Sequence, residues 1–372
     1  MNAASLTVIV FILATVLVGL LTMQMASHRV QRERSQFRMA VLPETVENPR
    51  YWLLGLIPAI VLSALLIGFR LTLHPLIVLA LGTFSTALAF MPAFMPVLLG
   101  TTGLIIALVP AKIWLSLNLP QMPLGSWSTN FAILVGCLAI LEALVDKLLP
   151  VHNSPKLFDR HGRTWVQYLI QQRVWLPLIV PMPVSFAPNL SWWPHLNIGG
   201  VQMALTLMPI FMGIGMRHRE PEATGILRRD TWVLGIVGVL TLALGIMGQT
   251  LQLHPGMILL MVAEISVFGW LMCMLARFQR PVLSAAVGGV RIVAILPDTP
   301  AAKMHLRRGD TILQCNGQDV PTRAALYAAT QNLGTFCRLR VRGFDGQIRL
   351  AETAIFQGAP HMLGIITFPE ED

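Results

Sequence analysis

Three charged side chains, Lys112, Glu142 and Glu264, lie inside long apolar runs of this 372-residue chain. A charge is costly inside a bilayer, so an intramembrane ionisable residue is a candidate for an ion or substrate role. Lys112 lies near the end of its apolar run and can extend its amine to the interface. Glu142 lies about one helical turn from Asp146, which indicates a position near the inner interface. Glu264 lies closest to mid-membrane, where a transport role competes with a structural hydrogen bond.

The motifs of hydrolytic and metal chemistry are missing from the sequence. Neither the zinc motif HExxH nor the nucleophile motif GxSxG occurs among the 372 residues. The four cysteines show no CxxC spacing, so neither a zinc site nor a disulfide framework is indicated. These absences argue against an intramembrane protease. We therefore expect no enzyme activity, no metal and no cofactor.

The composition indicates that lipid is the solvent for much of the chain. Charged residues make up 12% of it and the mean hydropathy is +0.65, whereas soluble proteins carry about 25% charged residues. Runs of about twenty apolar residues predict membrane-spanning helices. The third predicted span is short and the sixth contains several prolines. The nine predicted spans are 5–26, 52–70, 76–91, 96–117, 128–148, 174–189, 198–216, 232–250 and 256–276.

The positive charges predict an orientation for these spans. Lys and Arg are concentrated in 27–50, 147–173 and 217–230, whereas the connections between the opposite span ends contain only Arg70. Basic loops stay in the cytoplasm, so the N-terminus is predicted outside and the C-terminus inside. This bias accounts for the net charge of +9 without nucleic acid. The segment 156–173 is either an ordinary basic loop or an amphipathic helix lying on membrane lipid.

One pentapeptide occurs twice, as LTLHP at 71–75 and as LQLHP at 251–255. Each copy follows an apolar run that opens on Trp, and each Pro suits the first turn of the next helix. A direct repeat of the first three and last three spans would explain the recurrence. Transporters often contain such repeats. The alternative is that short turns with this sequence recur by chance.

The pattern changes after residue 280, and we predict two domains, a transmembrane helical domain at 1–280 and a second domain at 284–372. Strands are predicted at 289–296 and 362–368, and a hairpin at 336–354. Asn316-Gly317 predicts a tight turn between two further strands. Short helices are predicted at 298–306, where Thr299 is the N-cap and Pro300 follows it, and at 321–332.

The stretch LPDTPAAKMHLRRGDTILQCNGQDV at 296–320 resembles bacterial PDZ domains. Such domains bind a peptide as an added strand and hold its carboxylate on backbone N–H groups of a Gly-containing loop. The resemblance implies that LGI, 363–365, is this loop; the alternative is that LGI is only a core strand. The implied groove residues are Leu363, Gly364, Ile365, Ile366 and Thr367 on the strand side, and Arg323, Leu326, Tyr327 and Thr330 on the helix side.

The whole chain also resembles the MinJ-type division-site proteins of Gram-positive rods, in the segments 29–37, 288–301, 336–350 and 360–368. The resemblance implies an α-helical polytopic membrane domain followed by a small cytoplasmic α+β PDZ-like domain. It also implies a cell-division scaffold in the cell membrane, enriched at septa and poles. The implied partners are a polar scaffold protein and the ATPase of the division inhibitor; self-association is left open. The alternative function is a transporter or channel-like protein with a regulatory PDZ domain.

Overall fold

A computed structural model describes residues 3–41, 53–88, 124–148, 153–160, 163–171, 174–187, 191–213, 215–218, 224–275, 283–286, 288–331, 336–354 and 363–369. The helices are α1 Ala3–Phe37, α2 Leu56–Gly68, α3 Pro75–Leu88, α4 Leu124–Leu148, α5 Thr224–Thr250, α6 Pro255–Leu275, α7 Pro300–Lys303 and α8 Arg323–Gln331. The strands are β1 Asn153–Arg160, β2 Arg163–Gln171, β3 Val174–Pro183, β4 His195–Ile198, β5 Val201–Met212, β6 Gly215–His218, β7 Leu283–Ser284, β8 Val290–Ile295, β9 Thr311–Cys315, β10 Gln318–Asp319, β11 Phe336–Arg342, β12 Ile348–Ala354 and β13 Ile365–Thr367.

Within these described ranges, three helices are long and apolar enough to cross a membrane. They are Val8–Phe37 in α1, Gly225–Thr250 in α5 and Pro255–Leu275, which is α6. The prediction of about nine spans is therefore wrong, and the orientation counted through nine crossings loses its basis. The predicted second and third spans are α2 and α3, whose 13 and 14 residues fall short of the roughly twenty that a bilayer requires. The predicted fourth span, 96–117, lies outside the described residues.

The predicted sixth and seventh spans contain strands β3 and β5 of a three-stranded sheet. β3 and β5 pair antiparallel from Val174 opposite Met212 to Pro183 opposite Met203, and the short β4 extends this sheet beside β5. β5 is buried on both faces from Met208 to Met212, whereas burial along β3 alternates from Val174 to Val180 and leaves Ile179 exposed. A strand covered on both faces is apolar without alternation, so hydropathy alone does not distinguish it from a helix.

Serine side chains of two helices complete the hydrogen bonding of this buried sheet. The N–H of Ile179 in β3 donates to Ser63 Oγ of α2 at 2.9 Å. The N–H of Phe211 in β5 donates to Ser85 Oγ of α3 at 2.9 Å. The Ser85 hydroxyl in turn donates to the Phe211 carbonyl at 3.1 Å. These contacts satisfy backbone groups that would otherwise be costly to bury.

The α4–α5 pair forms the centre of the helical part. Close approach is possible because glycines lie at the crossing: a Cβ at Gly136 would come within 2.6 Å of the backbone nitrogen of Leu242. Gly245 is equally tight, since a Cβ there would lie 2.6 Å from Ile133 Cγ1. Phe131, Leu134 and Leu138 of α4 are buried in the main core.

A second sheet contains β1, β2 and β6, with β7 paired to β2. The predicted amphipathic helix within 156–173 is therefore wrong, because this segment forms the β1–β2 hairpin. Val166, Tyr168 and Ile170 are buried and the residues between them are not, which is the period of two that a strand shows. Described parts of all three basic segments meet around this sheet: the end of α1, the β1–β2 hairpin and β6.

The two LxLHP copies lie at one end of the helices, where Asn130 links the first copy to Gln249, two residues before the second. Asn130 Nδ2 donates to the Thr72 carbonyl at 2.9 Å, and Asn130 Oδ1 accepts from Gln249 Nε2 at 3.1 Å. Each copy starts a helix at its Pro, and the preceding His carbonyl accepts the first helical N–H bonds. Duplication remains a prediction.

The C-terminal strands form a third sheet in the order β12-β11-β9-β8-β13, with β10 paired to β9. Asn316 and Gly317 both have positive φ, 48° and 83°, as the predicted two-residue turn requires. The predicted strands and helices of this region are confirmed, although α7 is only four residues long. Thr299 lies at the N-cap of α7, but its hydroxyl donates to the Leu296 carbonyl at 2.7 Å instead of capping the helix.

Candidate functional site

β13 is an edge strand of the C-terminal sheet. It pairs antiparallel with β8, from Ile365 opposite Ile295 to Thr367 opposite Ile292. No other described strand pairs with it. An unpaired strand edge presents free N–H and C=O groups to a partner chain. This is the arrangement that recognition by strand addition needs.

The residue before β13 must be glycine. Gly364 is buried and has φ +79°, a conformation that L side chains rarely adopt. Its carbonyl accepts from the Leu296 N–H at 2.8 Å, and the Leu363 carbonyl accepts from the Ala301 N–H at 3.0 Å. A Cβ at Gly364 would overlap the side chain of Thr299. The turn into β13 is therefore fixed against α7.

The two faces of β13 have different neighbours, because successive side chains of a strand point to opposite faces. Leu363 and Ile365 pack with Leu326 of α8 in the C-terminal core. Ile366 instead packs with Val293 and Tyr168, away from that core. The structure thus brings Leu363, Ile365 and Leu326 together and separates Ile366 from them.

α8 presents a mixed surface beside this core. Leu326 is buried, Arg323 and Thr330 are half-buried, and Tyr327 is 54% exposed. The Thr330 hydroxyl donates to the Tyr327 carbonyl at 2.8 Å, so it is already engaged. Tyr327 is the predicted groove residue whose side chain is most open to a ligand.

The opposite face of β8 and β13 packs on the rest of the protein. Val293, Ala294, Ile366 and Phe368 form one cluster with Phe37, Val41, Val166, Tyr168 and Leu283. The buried Tyr168 hydroxyl donates to the Val293 carbonyl at 2.7 Å. Burial raises the pKa of Tyr168, although the Arg308 guanidinium beside it opposes that shift. We call this cluster the junction. Sequence reasoning missed it, since Tyr168 belonged to the segment assigned to a loop or helix.

A buried carboxylate ties α1 to β1 beside the junction. Glu33 Oε1 lies 3.1 Å from Arg29 Nη1 and accepts from the Ser154 hydroxyl at 2.5 Å. Glu33 Oε2 accepts from the Val41 N–H at 2.8 Å. Both oxygens are therefore satisfied by charge-assisted bonds. The sequence signal for this site was RVQRERSQF, where a glutamate follows an arginine by four residues.

The charged residues predicted to lie in the membrane do not assemble into one site in the described chain. Glu142 is buried, and its Oε1 accepts from the Gly213 N–H at 3.4 Å. Glu264 is on an exposed face of α6, and Lys112 lies outside the described residues. Asp146 is buried near Asp230, which is paired with Arg229 at 2.7 Å. Thus Glu142 faces into the protein and Glu264 faces out of it.

Three apolar helices are long enough to cross a membrane. The C-terminal α+β unit packs on the β1–β2–β6 sheet at one end of these helices. These features are those of a membrane-associated protein. No family model matches the chain. It is 33% identical over 362 residues to the probable cell division topological determinant MinJ of Lacticaseibacillus paracasei, covering 94% of each chain. The protein of that name from Lacticaseibacillus casei (strain BD-II) matches equally. The cell division topological determinant MinJ of Bacillus subtilis (strain 168) is 26% identical over 370 residues, covering 95% of this chain and 91% of its own. The chain belongs to the MinJ family.

Proposed function

We propose that this protein is a membrane scaffold for placing the division site, and that it recruits division proteins through residues 284–372 folded as a PDZ domain. The names of its relatives support a role in cell division. The observation that carries the recruitment role is the unpaired edge of β13, a strand that follows the buried Gly364 and shares a core with α8. The role requires no catalysis.

In this proposal a partner segment adds as a strand to the free edge of β13. If the segment is a C-terminus, its carboxylate meets backbone N–H groups of the turn at 363–365, as anions do in backbone nests. Tyr327 and Arg323 of α8 cover the other side of the segment. Ile366 takes no part in the groove and holds the strand to the junction instead.

The proposed side of the membrane is the cytoplasm. The basic segments that meet at the β1–β2–β6 sheet are of the kind that stays inside, and the C-terminal unit packs on that same sheet. The proposed partners are the polar scaffold protein and the inhibitor ATPase that the family resemblance implies. Enrichment at septa and poles is the corresponding proposal for the living cell.

The sharpest test changes the groove without changing the junction. Deleting 284–372 would uncover Phe37, Val41 and Tyr168, and any side chain at Gly364 is strained, so neither change is specific. Tyr327→Asp alters an exposed groove side chain. Ala328→Asp adds the same charge at the next, also exposed, position of α8 and serves as the matched control.

Both variants are made in the fluorescently tagged full chain and imaged in the native host. We expect Tyr327→Asp to lose septal enrichment at unchanged membrane abundance, and Ala328→Asp to retain it. A photo-crosslinking amino acid at 327 should capture a division-site protein, and one at 328 should capture far less. Equal localisation and equal crosslinking of the two positions would reject the groove.

A further inference from the structure

The outer hairpin of the C-terminal unit, β11–β12, has an exposed face made of arginine and apolar side chains. Residues directly opposite each other share a face of a sheet, and the register places Arg338 opposite Glu352, Arg340 opposite Leu350 and Arg342 opposite Ile348. All six are exposed. We call these six residues, with Phe344 at the turn, the hairpin face. β12 and β13 are at opposite ends of the sheet, so the hairpin face is separate from the proposed groove.

The hairpin face carries uncompensated positive charge. Arg338 has an exposed partner, Glu352, at 3.6 Å. Arg340 and Arg342 make no ion pair with any described residue. Arg349, which alternates to the other face of β12, is already paired with Asp310. The free charge of the hairpin therefore lies on its exposed face.

Large apolar side chains accompany these arginines. Leu350 is 57% exposed and Ile348 is 52% exposed. Their neighbour Ala351 points to the opposite face of β12 and is buried in the core. Phe344 occupies the tip between Gly343 and Asp345, with its side chain 52% exposed. The Asp345 carboxylate accepts from the Gln347 N–H at 3.1 Å, so it stabilises the turn. Apolar area of this kind on a sheet edge is a liability unless something covers it.

The unit is attached at the end of membrane-length helices. It packs on Phe37 and Val41 just where α1 ends, and β7, which begins eight residues after the end of α6, pairs with β2. A basic surface with apolar side chains and a projecting aromatic ring is what binds the interface of an anionic leaflet. We propose that the hairpin face lies on anionic phospholipid of the membrane that the helices enter.

This attachment favours lipid over an acidic protein as the occupant. Linking a weak binding surface to the membrane makes its docking an intramolecular step with a high effective concentration. Each arginine near an anionic leaflet adds about fivefold to the binding constant. Neutralising Arg340 and Arg342 should therefore lower the ratio of docked to undocked hairpin about 25-fold.

The test uses the full chain in nanodiscs, with Phe344→Cys carrying an environment-sensitive fluorophore. The native cysteines are suited to this background, since three are buried and Cys137 is half-buried; dye uptake by the unchanged chain measures the residual labelling. Nanodiscs contain either phosphatidylcholine alone or phosphatidylcholine with phosphatidylglycerol. Quenching by a spin-labelled lipid reports contact with the bilayer, and quenching by iodide reports contact with water. Gln318→Cys, an exposed position of β10 next to the turn at the far end of β11, is the control site.

We expect lipid quenching at position 344 in phosphatidylglycerol nanodiscs, little in phosphatidylcholine alone, and little at position 318 in either. Arg340→Gln with Arg342→Gln should abolish the quenching. Lys303→Gln with Arg307→Gln, two exposed charges elsewhere in the same unit, should leave it intact. Equal quenching with and without phosphatidylglycerol would overturn the proposal. Protection from iodide without lipid quenching would also overturn it and assign the face to a protein instead.

Discussion

Removing the Tyr168 hydroxyl should loosen the C-terminal unit from the helices. Tyr168→Phe keeps the ring and its apolar packing but leaves the buried Val293 carbonyl without the donor that now lies 2.7 Å away. An unsatisfied buried acceptor costs roughly 1–3 kcal/mol. We therefore expect local opening of the junction to become about 5- to 150-fold more frequent. Tyr327→Phe makes the same change at an exposed tyrosine of the C-terminal unit and serves as the control.

Hydrogen–deuterium exchange of the detergent-solubilised full chain measures this opening. Faster exchange is expected in β8, β13 and β2, with the exchange of the helices unchanged.

The pH dependence of this stability gives a second readout. Burial raises the pKa of Tyr168, so its stabilisation is complete below the unfolded value of about 10 and declines as pH rises towards the higher folded pKa. Tyr168→Phe should lack that alkaline decline. Exchange and pH profiles identical to those of the unchanged chain would refute a stabilising role for this bond.

Two further predictions concern the carboxylates. Glu33→Ala removes the carboxylate that pairs with the buried Arg29 and accepts from the Val41 N–H, so unfolding should be easier by about 3–5 kcal/mol. Ser154→Ala should cost less, and similar thermal stability of both variants and the unchanged chain would contradict this network. Glu264→Gln should leave septal enrichment unchanged, because Glu264 is on the outward face of α6 and contributes to neither the groove nor the junction; loss of enrichment in the imaging assay would point instead to a role within the membrane.

The C-terminal unit could be predicted because its signals are local. Asn316-Gly317 needs only its two φ angles to define a turn, and Thr299-Pro300 marks a helix start without reference to distant residues. The groove assignment was less secure, since it required knowing which face each β13 side chain occupies. The bulge at Ile366–Thr367 arises in the pairing of β13 with β8, and the contact of Ile366 with Tyr168 depends on a sheet more than a hundred residues earlier in the chain.

Two predicted membrane helices are in fact the strands β3 and β5. Hydropathy failed here because it indicates that a segment is buried and does not indicate whether the segment is a helix or a strand. The backbone N–H groups of Ile179 and Phe211 donate to the hydroxyls of Ser63 and Ser85 on two helices. No local sequence pattern predicts such a contact between a strand and a helix. One sequence feature did point the right way. Pro177, Pro181 and Pro183 disfavour a helix, and an edge strand tolerates prolines that a helix interior does not.

In the proposed role, the rigidity of β13 is what makes its short edge useful. Ile365 is held from one face by the core that contains Leu326, and Ile366 is held from the other by the junction. A strand fixed on both faces loses little conformational freedom when a partner adds to it, so less of the interaction energy is spent on ordering the site. Three paired residues alone would be a weak template. The junction therefore contributes to recruitment without touching the partner, because it keeps the edge in the conformation that a partner strand needs.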